Sequence, residues 1–286
     1  MKVFLDCIPC FLKQALEAAR LATSEVEVQQ QALRVVLDKL AQISWDTSPP
    51  HIGRAVHQII KQVSGNPDPY AILKRHSNEV ALKLCQDWEK EISKMPNPFE
   101  AAVKLSLAGN IIDFGARPGE IINIEKEIET VMEMPLSQDE LSFFEKAVSL
   151  ANRILFLGDN AGEIAFDEFL LKQIGPGKVV YVVKAKPIIN DATMQDAREV
   201  GLTDIVEVVD NGSDYPGTVL ESCSESFRLL YEQADLIIAK GQGNYETLSE
   251  TQRPIFFLLR VKCPVIARDI KKEVGSLVIQ PKNVYI

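Results

Sequence analysis

Residues 154–167 read ILFLGDNAGEIAFD, and the fold turns on how this stretch is parsed. Ile154 to Leu157 is a short, unbroken apolar run, the pattern of a strand covered on both faces. Gly158 permits a sharp departure, and Asp159 and Asn160 follow just past the strand's carboxyl end. Gly162 then opens an expected helix, with Ala165, Phe166, Phe169 and Leu170 at helical spacing. In open α/β sheets this edge is where ligands bind. A carboxylate and an amide there offer hard oxygen donors suited to Mg or Mn. Asp-Asn ahead of glycine is equally good turn and N-cap chemistry, so the functional and the structural reading both stand at this point.

Downstream, strand and helix patterns alternate. Val179–Val183, Ile205–Val209, Leu236–Ala239, Ile255–Leu259, Val265–Ala267 and Leu277–Ile279 read as strands. Ala192–Val200, Thr218–Ala234 and Tyr245–Thr251 read as helices. Such alternation predicts a mostly parallel sheet covered on both faces, with right-handed crossovers. Upstream the chain reads as helices: one through Ile8, Phe11, Leu12, Ala15 and Ala19, then Val26–Ile43, Ile52–Val63, Ala71–Ile92 and Phe99–Ala108. Asp46–Pro50, Ser64–Pro69 and Pro96–Pro98 break the pattern. The expected organisation is therefore α/β: an amino-terminal all-helical domain over 1–136 and a Rossmann-like, three-layer α/β/α domain over 137–286, divided where Ser137 looks like a helix start.

Composition narrows the function. The chain has 286 residues, 46% hydrophobic and a net charge of −9. That acidic balance argues against a general nucleic-acid binder, since no basic excess is available to neutralise phosphates. No apolar run approaches the roughly 20 residues of a membrane span. The start, MKVFLDCIPCFLKQ, carries Asp6 and lacks a signal-peptide apolar core, so a cytoplasmic location is expected. Five cysteines in so long a chain read as reduced thiols. Cys7-x-x-Cys10 is a weak metal signal without a second such pair. Cys85 is the third thiol considered beside it, and buried thiols, metal ligation and redox chemistry all remain open.

The polar residues just beyond the expected strands form a set. They are Asp159, Asn160 and Glu163; Lys184, Lys186, Asn190 and Asp191; Asp210, Asn211 and Asp214; Lys240 to Asn244; and Arg260 with Lys262. In a parallel sheet all of them face one edge. Oxygen donors for a divalent cation would then stand beside cationic and amide donors, a mixture suited to phosphate chemistry. Gly241 and Gly243 leave the backbone open to an anion. No GxxxxGK[ST] loop is present, which disfavours an ordinary NTPase. In the helical half, Gly109-Asn110-Ile-Ile-Asp113 embeds two polar residues among apolar ones, either as a capped turn or as a substrate-contacting wall of the site.

Six motifs occur in order: Asp6-Cys-Ile-Pro-Cys10, Gly109-Asn-Ile-Ile-Asp113, Gly158-Asp-Asn-Ala-Gly-Glu163, Lys186-Pro-Ile-Ile-Asn-Asp191, Lys240-Gly-Gln-Gly-Asn-Tyr-Glu246 and Leu259-Arg-Val-Lys262. On these the chain resembles the damage-control phosphatase family, once filed as domain of unknown function 89, in its stand-alone prokaryotic branch with an amino-terminal CxxC. The resemblance implies an α/β/α sheet domain with an added helical domain. It implies metal-dependent hydrolysis of phosphate monoesters of small metabolites, sugar phosphates and damaged phosphometabolites among them. One divalent cation, Mn, Co, Ni or Mg, is implied on Asp159, Asn160 and Asp191. Substrate contacts are implied at Glu163, Lys240, Asn244 and Lys262, with the two lysines stabilising charge on the transferring phosphoryl group. Two other functions fit parts of the pattern: an S-adenosylmethionine-dependent methyltransferase, from the strand-loop-helix start, and a non-catalytic metal- or metabolite-binding protein.

Overall fold

The computed structural model describes residues 1–109 and 124–286. The expected strand at Ile154–Leu157 is β1, and it lies at the centre of a six-stranded sheet. The other strands are β2 (Val179–Val183), β3 (Glu207–Asp210), β4 (Leu236–Lys240), β5 (Ile255–Arg260) and β6 (Leu277–Lys282). Their order is β3-β2-β1-β4-β5-β6. The first five are parallel, and β6 closes the edge antiparallel to β5. The chain winds outward from β1 to β3, then returns to β4 on the other side. The gap between the tips of β1 and β4 is thus the switch point where such sheets hold ligands.

Alternate side chains of the central strands feed two different cores, which is why β1 reads as a continuous apolar run. Ile154 and Phe156 join Tyr181, Ile238 and Phe256 on one face. Leu155 and Leu157 join Val182, Ile237, Phe257 and Leu259 on the other. Phe156 stacks on Tyr181, its partner in register, at 5.0 Å between centroids. Both are fully buried, and each such side chain contributes about 1.5–3 kcal/mol by leaving water.

The first face is covered by α4 (Ala71–Ile92), α5 (Pro98–Ala108), α6 (Ile124–Glu133), α7 (Gln138–Leu150) and α8 (Glu163–Ile174). α10 (Glu225–Gln233), α11 (Gly241–Leu248) and α12 (Pro264–Ile270) cover the second. α1 (Cys7–Ala22), α2 (Val26–Leu40) and α3 (Pro49–Ser64) keep an apolar cluster of their own, closed by Val3 and Tyr70. The line drawn at Ser137 therefore crosses the first core cluster, which runs from Ala81 through Val148 into the sheet. α9 (Met194–Glu199), with a reciprocal Thr193–Asp196 capping box, follows the loop after β2.

Four local expectations are corrected. Val265–Ala267 is helical, in α12: Cys263 is extended, Pro264 takes the first helical turn and Val265, Ile266 and Ile270 pack inward. Thr218–Ala234 is not one helix. A short 3-10 turn at Leu220–Ser222 precedes α10, which Ser224 restarts by accepting from the Phe227 amide at 3.2 Å. β3 begins at Glu207, two residues later than expected; as an edge strand it tolerates that exposed charge. The Gly241–Asn244 segment, expected as a loop before a helix at Tyr245, is already the first turn of α11.

Candidate active site

The loops after β1 and β2 are knitted together by backbone. Ala192 N–H donates to the Asp159 carbonyl at 2.8 Å, and Ala161 N–H donates to the Asn190 carbonyl at 2.9 Å. Asn160 and Asp191 form an isolated antiparallel bridge. Asp159, Asn160 and Asp191 thereby come from two adjacent strand tips to one place. In the β2 loop Ile189 has φ +46°, a left-handed conformation that is costly for a β-branched residue and is held by this surrounding bonding.

Burial first, then the nearby Glu163 and Asp191 carboxylates, hold the Asp159 carboxyl well above the usual range; Lys262 and Lys184 act in the opposite sense. Three carboxylates thus crowd one partly desolvated spot. Asn160 Nδ2 donates to Asp159 Oδ2 at 2.9 Å and to Glu163 Oε2 at 3.0 Å. Among the described residues no three His, Cys, Asp or Glu side chains stand as a preformed cation cage. The expected set takes one of its three donors from an amide, Asn160. Hard oxygens from Asp159, Asn160 and Asp191 under mutual repulsion fit a divalent cation chemically, because the ion would relieve that repulsion.

The expected cations divide into two groups. Lys262 has an exposed side chain, and its backbone N–H is pinned by Gln242 Oε1 at 2.6 Å. Lys184 is buried, 3.5 Å from Asp191 Oδ2, and donates to the Gly217 carbonyl. Lys240 was expected at the phosphoryl group. Its ammonium instead lies wholly inside, 2.6 Å from Asp167 Oδ1 and 2.9 Å from Glu163 Oε1, and donates to the Ser106 carbonyl at 2.8 Å. Burial lowers its proton affinity, but the two carboxylates outweigh burial and keep it charged.

Glu163 is likewise fully buried, at the start of α8. Asn244 spans the two central strand tips: its Nδ2 donates to the Lys240 carbonyl at 2.8 Å and the Gly158 carbonyl at 3.4 Å, while its Oδ1 accepts from Thr218 at 2.7 Å. These partners bring Glu163, Lys240 and Asn244 together beneath the loops. Asn110 and Asp113 lie outside the described residues; Gly109, just before them, packs against Glu163. Of the remaining ring, Asp214 turns to α3, where Arg54 Nε donates to it at 2.6 Å, and Arg260 turns to Glu127 at 3.7 Å.

Several participants were not singled out from sequence. Asn78 on α4 accepts from the Gly162 amide at 2.7 Å and donates to Asp196 at 3.1 Å and Glu199 at 2.9 Å. It therefore fixes the start of α8 against α9. The signal was available: the buried stripe of α4 begins with Lys74, Ser77 and Asn78 before turning apolar. Asp167, four residues after Glu163 among the otherwise apolar buried residues of α8, was a second such signal. For the CxxC pair the neighbouring thiol is Cys263, with Glu246 close by. Cys85 sits instead in the sheet-facing core of α4. Burial pushes the Cys7 and Cys10 thiols up.

The fold and the site define a doubly wound α/β protein with an acidic, amide-assisted side-chain cluster and nearby lysines at the sheet's switch point. Residues 3–278 match the Damage-control phosphatase ARMT1-like domain, and the chain belongs to that family. It is 35% identical to a damage-control phosphatase of Pyrococcus horikoshii, covering 97% of each chain, and 33% identical to one of Archaeoglobus fulgidus, covering 97% of this chain and 98% of that one. An uncharacterised protein of Methanocaldococcus jannaschii is 37% identical over 98% of this chain and 95% of its own. The crystal structure of a DUF89 family protein from Pyrococcus horikoshii superposes with a TM-score of 0.87 at 35% identity, over 98% of this chain and 99% of that one.

Proposed function

We propose that this protein is a metal-dependent phosphatase that hydrolyses phosphate monoesters of small metabolites, sugar phosphates and damaged phosphometabolites being the classes to test first. The observation that carries this reading is the convergence of Asp159, Asn160 and Asp191 through the Asn160–Asp191 bridge and the Ala192-to-Asp159 hydrogen bond. Relatives named damage-control phosphatases add the reaction class. One divalent cation, Mn, Co, Ni or Mg, would be held by those three side chains, where it supplies Lewis-acid neutralisation of phosphate oxygens.

The chain's own groups do the rest. Lys262 offers an exposed ammonium to the phosphoryl oxygens, and Lys184 pairs with Asp191 at 3.5 Å. Lys240 and Asn244 support the strand tips from beneath, and Glu163 orients Asn160. Among the described residues no helix is long and apolar enough to cross a membrane.

The test is a panel of Mn, Co, Ni and Mg with a generic aryl phosphate, followed by phosphorylated sugars. Turnover that needs metal and vanishes in Asp159→Asn is expected. Saturable binding of metabolites without turnover under every metal would replace the enzyme by a binding protein.

A further inference from the structure

We propose that Asp167 is a positioning residue for the cation site, acting through Lys240 and Glu163 on the Asn160 amide; this rests on reading Asp159, Asn160 and Asp191 as the cation's donors. Asp167 and Glu163 are four residues apart on α8, on one face of the helix, and both are fully buried. Two carboxylates so placed repel each other unless a cation joins them. Lys240 joins them, at 2.6 Å from Asp167 Oδ1 and 2.9 Å from Glu163 Oε1.

Asp167 is itself fixed from two other elements. Ser106 Oγ on α5 donates to its Oδ1 at 2.6 Å, and the Tyr181 hydroxyl on β2 donates to its Oδ2 at 2.6 Å. The line runs from Tyr181 and Ser106 through Asp167, Lys240 and Glu163 to Asn160.

What reaches the site is the last link. Asn160 Nδ2 meets carboxylate oxygens on both sides, Asp159 Oδ2 and Glu163 Oε2. Carboxylates accept, so that atom must be the nitrogen, and the planar amide then turns Oδ1 away from Glu163. An ion cluster this deeply buried gains little for stability over apolar packing. Its distinctive consequence is to fix which end of Asn160 is presented as a donor. Without the charge of Asp167, Lys240 has only Glu163 to pair with, and Glu163 is drawn away from Asn160. Partners behind metal ligands commonly set affinity by about 10- to 100-fold.

The experiment measures binding of Mn²⁺ alone to the full chain, by calorimetry and by the loss of the free Mn²⁺ electron paramagnetic resonance signal. Asp167→Asn keeps the side-chain volume and removes the charge. Its Kd for Mn²⁺ is expected to rise about tenfold, with kcat largely restored at saturating metal. Tyr181→Phe removes one hydrogen bond and leaves both ion pairs, and its Kd should stay within about twofold of wild type. Should Asp167→Asn not fold, Ser106→Ala, which removes the donor on the same Asp167 Oδ1 that pairs with Lys240, where Tyr181 donates only to Oδ2, is expected to weaken binding by an intermediate factor. Wild-type Mn²⁺ affinity in Asp167→Asn, or in Ser106→Ala where that variant stands in, overturns the proposal, as does an equal loss in Tyr181→Phe. Absence of saturable Mn²⁺ binding in the wild-type protein overturns instead the cation reading on which it rests.

Discussion

The carboxylate of Asp159 rests directly on Cα of Gly241, so that a Cβ at position 241 would overlap its oxygens. Asp159 follows β1 and Gly241 follows β4, so this contact closes the switch point of the sheet. Gly241 also has φ +77°, a conformation open to glycine and strained for other residues. Gly241→Ala should therefore lose about 1–3 kcal/mol of stability and displace Asp159. Chemical denaturation reads the first effect. A weakened cation titration reads the second, and wild-type values in both would show that the contact matters little.

Crowding of Asp159 with Glu163 and Asp191 predicts a trade between stability and activity. The Asp159 carboxyl is held well above its usual range by burial and these two neighbours. A raised acid contributes stability below the unfolded value of about 4, which is lost as pH rises through the folded value. Asp159→Asn removes that loss. In the absence of metal it should be at least as stable as wild type at pH 8, with its advantage shrinking towards pH 4, while Mn²⁺ affinity falls at least about tenfold. Urea titrations at the two pH values, with a metal titration alongside, check both halves.

Asn78 gives a test of how the helical half supports the loop. Its amide accepts from Gly162 N–H and donates to Asp196 and Glu199, so no single-function side chain replaces it. Asn78→Ala should cost about 1–3 kcal/mol, the penalty of leaving a buried amide and carboxylate unmatched. Asn78→Asp keeps the acceptor for Gly162 but sets a third carboxylate beside two others. It should be the worse variant at pH 7 and should recover towards Asn78→Ala as the pH is lowered. A thermal melt series across pH distinguishes the two, and identical profiles would deny the charge argument.

The elements that were legible in sequence are those whose apolar pattern has one interpretation. β1 and β2 have the expected ends, because runs buried on both faces start and stop where the sheet does. Ala71–Ile92 is likewise a single helix to the residue. Val265–Ala267 was ambiguous because three apolar residues suit a strand or a buried helical turn equally, and the preceding proline decides. The positions of Asp159, Asn160 and Asp191, the proposed cation donors, were legible as residues after strand ends. What lies beneath them was not: Lys240 closes β4 and Lys262 follows β5, yet Lys262 is exposed while Lys240 is committed to the interior by Glu163 and Asp167, whose burial only the packing of α5 on α8 reveals. Spacing places a residue at an edge, whereas its partners decide whether it faces ligand or core.

His57 on α3 supplies a pH signature separate from the site. It is fully buried, edge-on to Tyr70 with ring centroids 5.8 Å apart. Burial, reinforced by Lys61 one turn away, holds its imidazole down to about 3. The unfolded chain takes up a proton near pH 6.5 while the folded protein stays neutral until about pH 3, so stability present above pH 6.5 drains away as pH falls towards 3. Between pH 7 and pH 5 the loss amounts to about 2 kcal/mol from this residue alone, at about 1.4 kcal/mol for each pH unit below 6.5. Glu246, pushed up to about 7 by burial, works in the opposite sense over the same range, so the wild-type profile by itself is not diagnostic. The difference between wild type and His57→Leu isolates the histidine. The variant should be less sensitive to acid by about 2 kcal/mol between those two pH values, measured by urea unfolding, and parallel profiles would place the histidine outside the acid response.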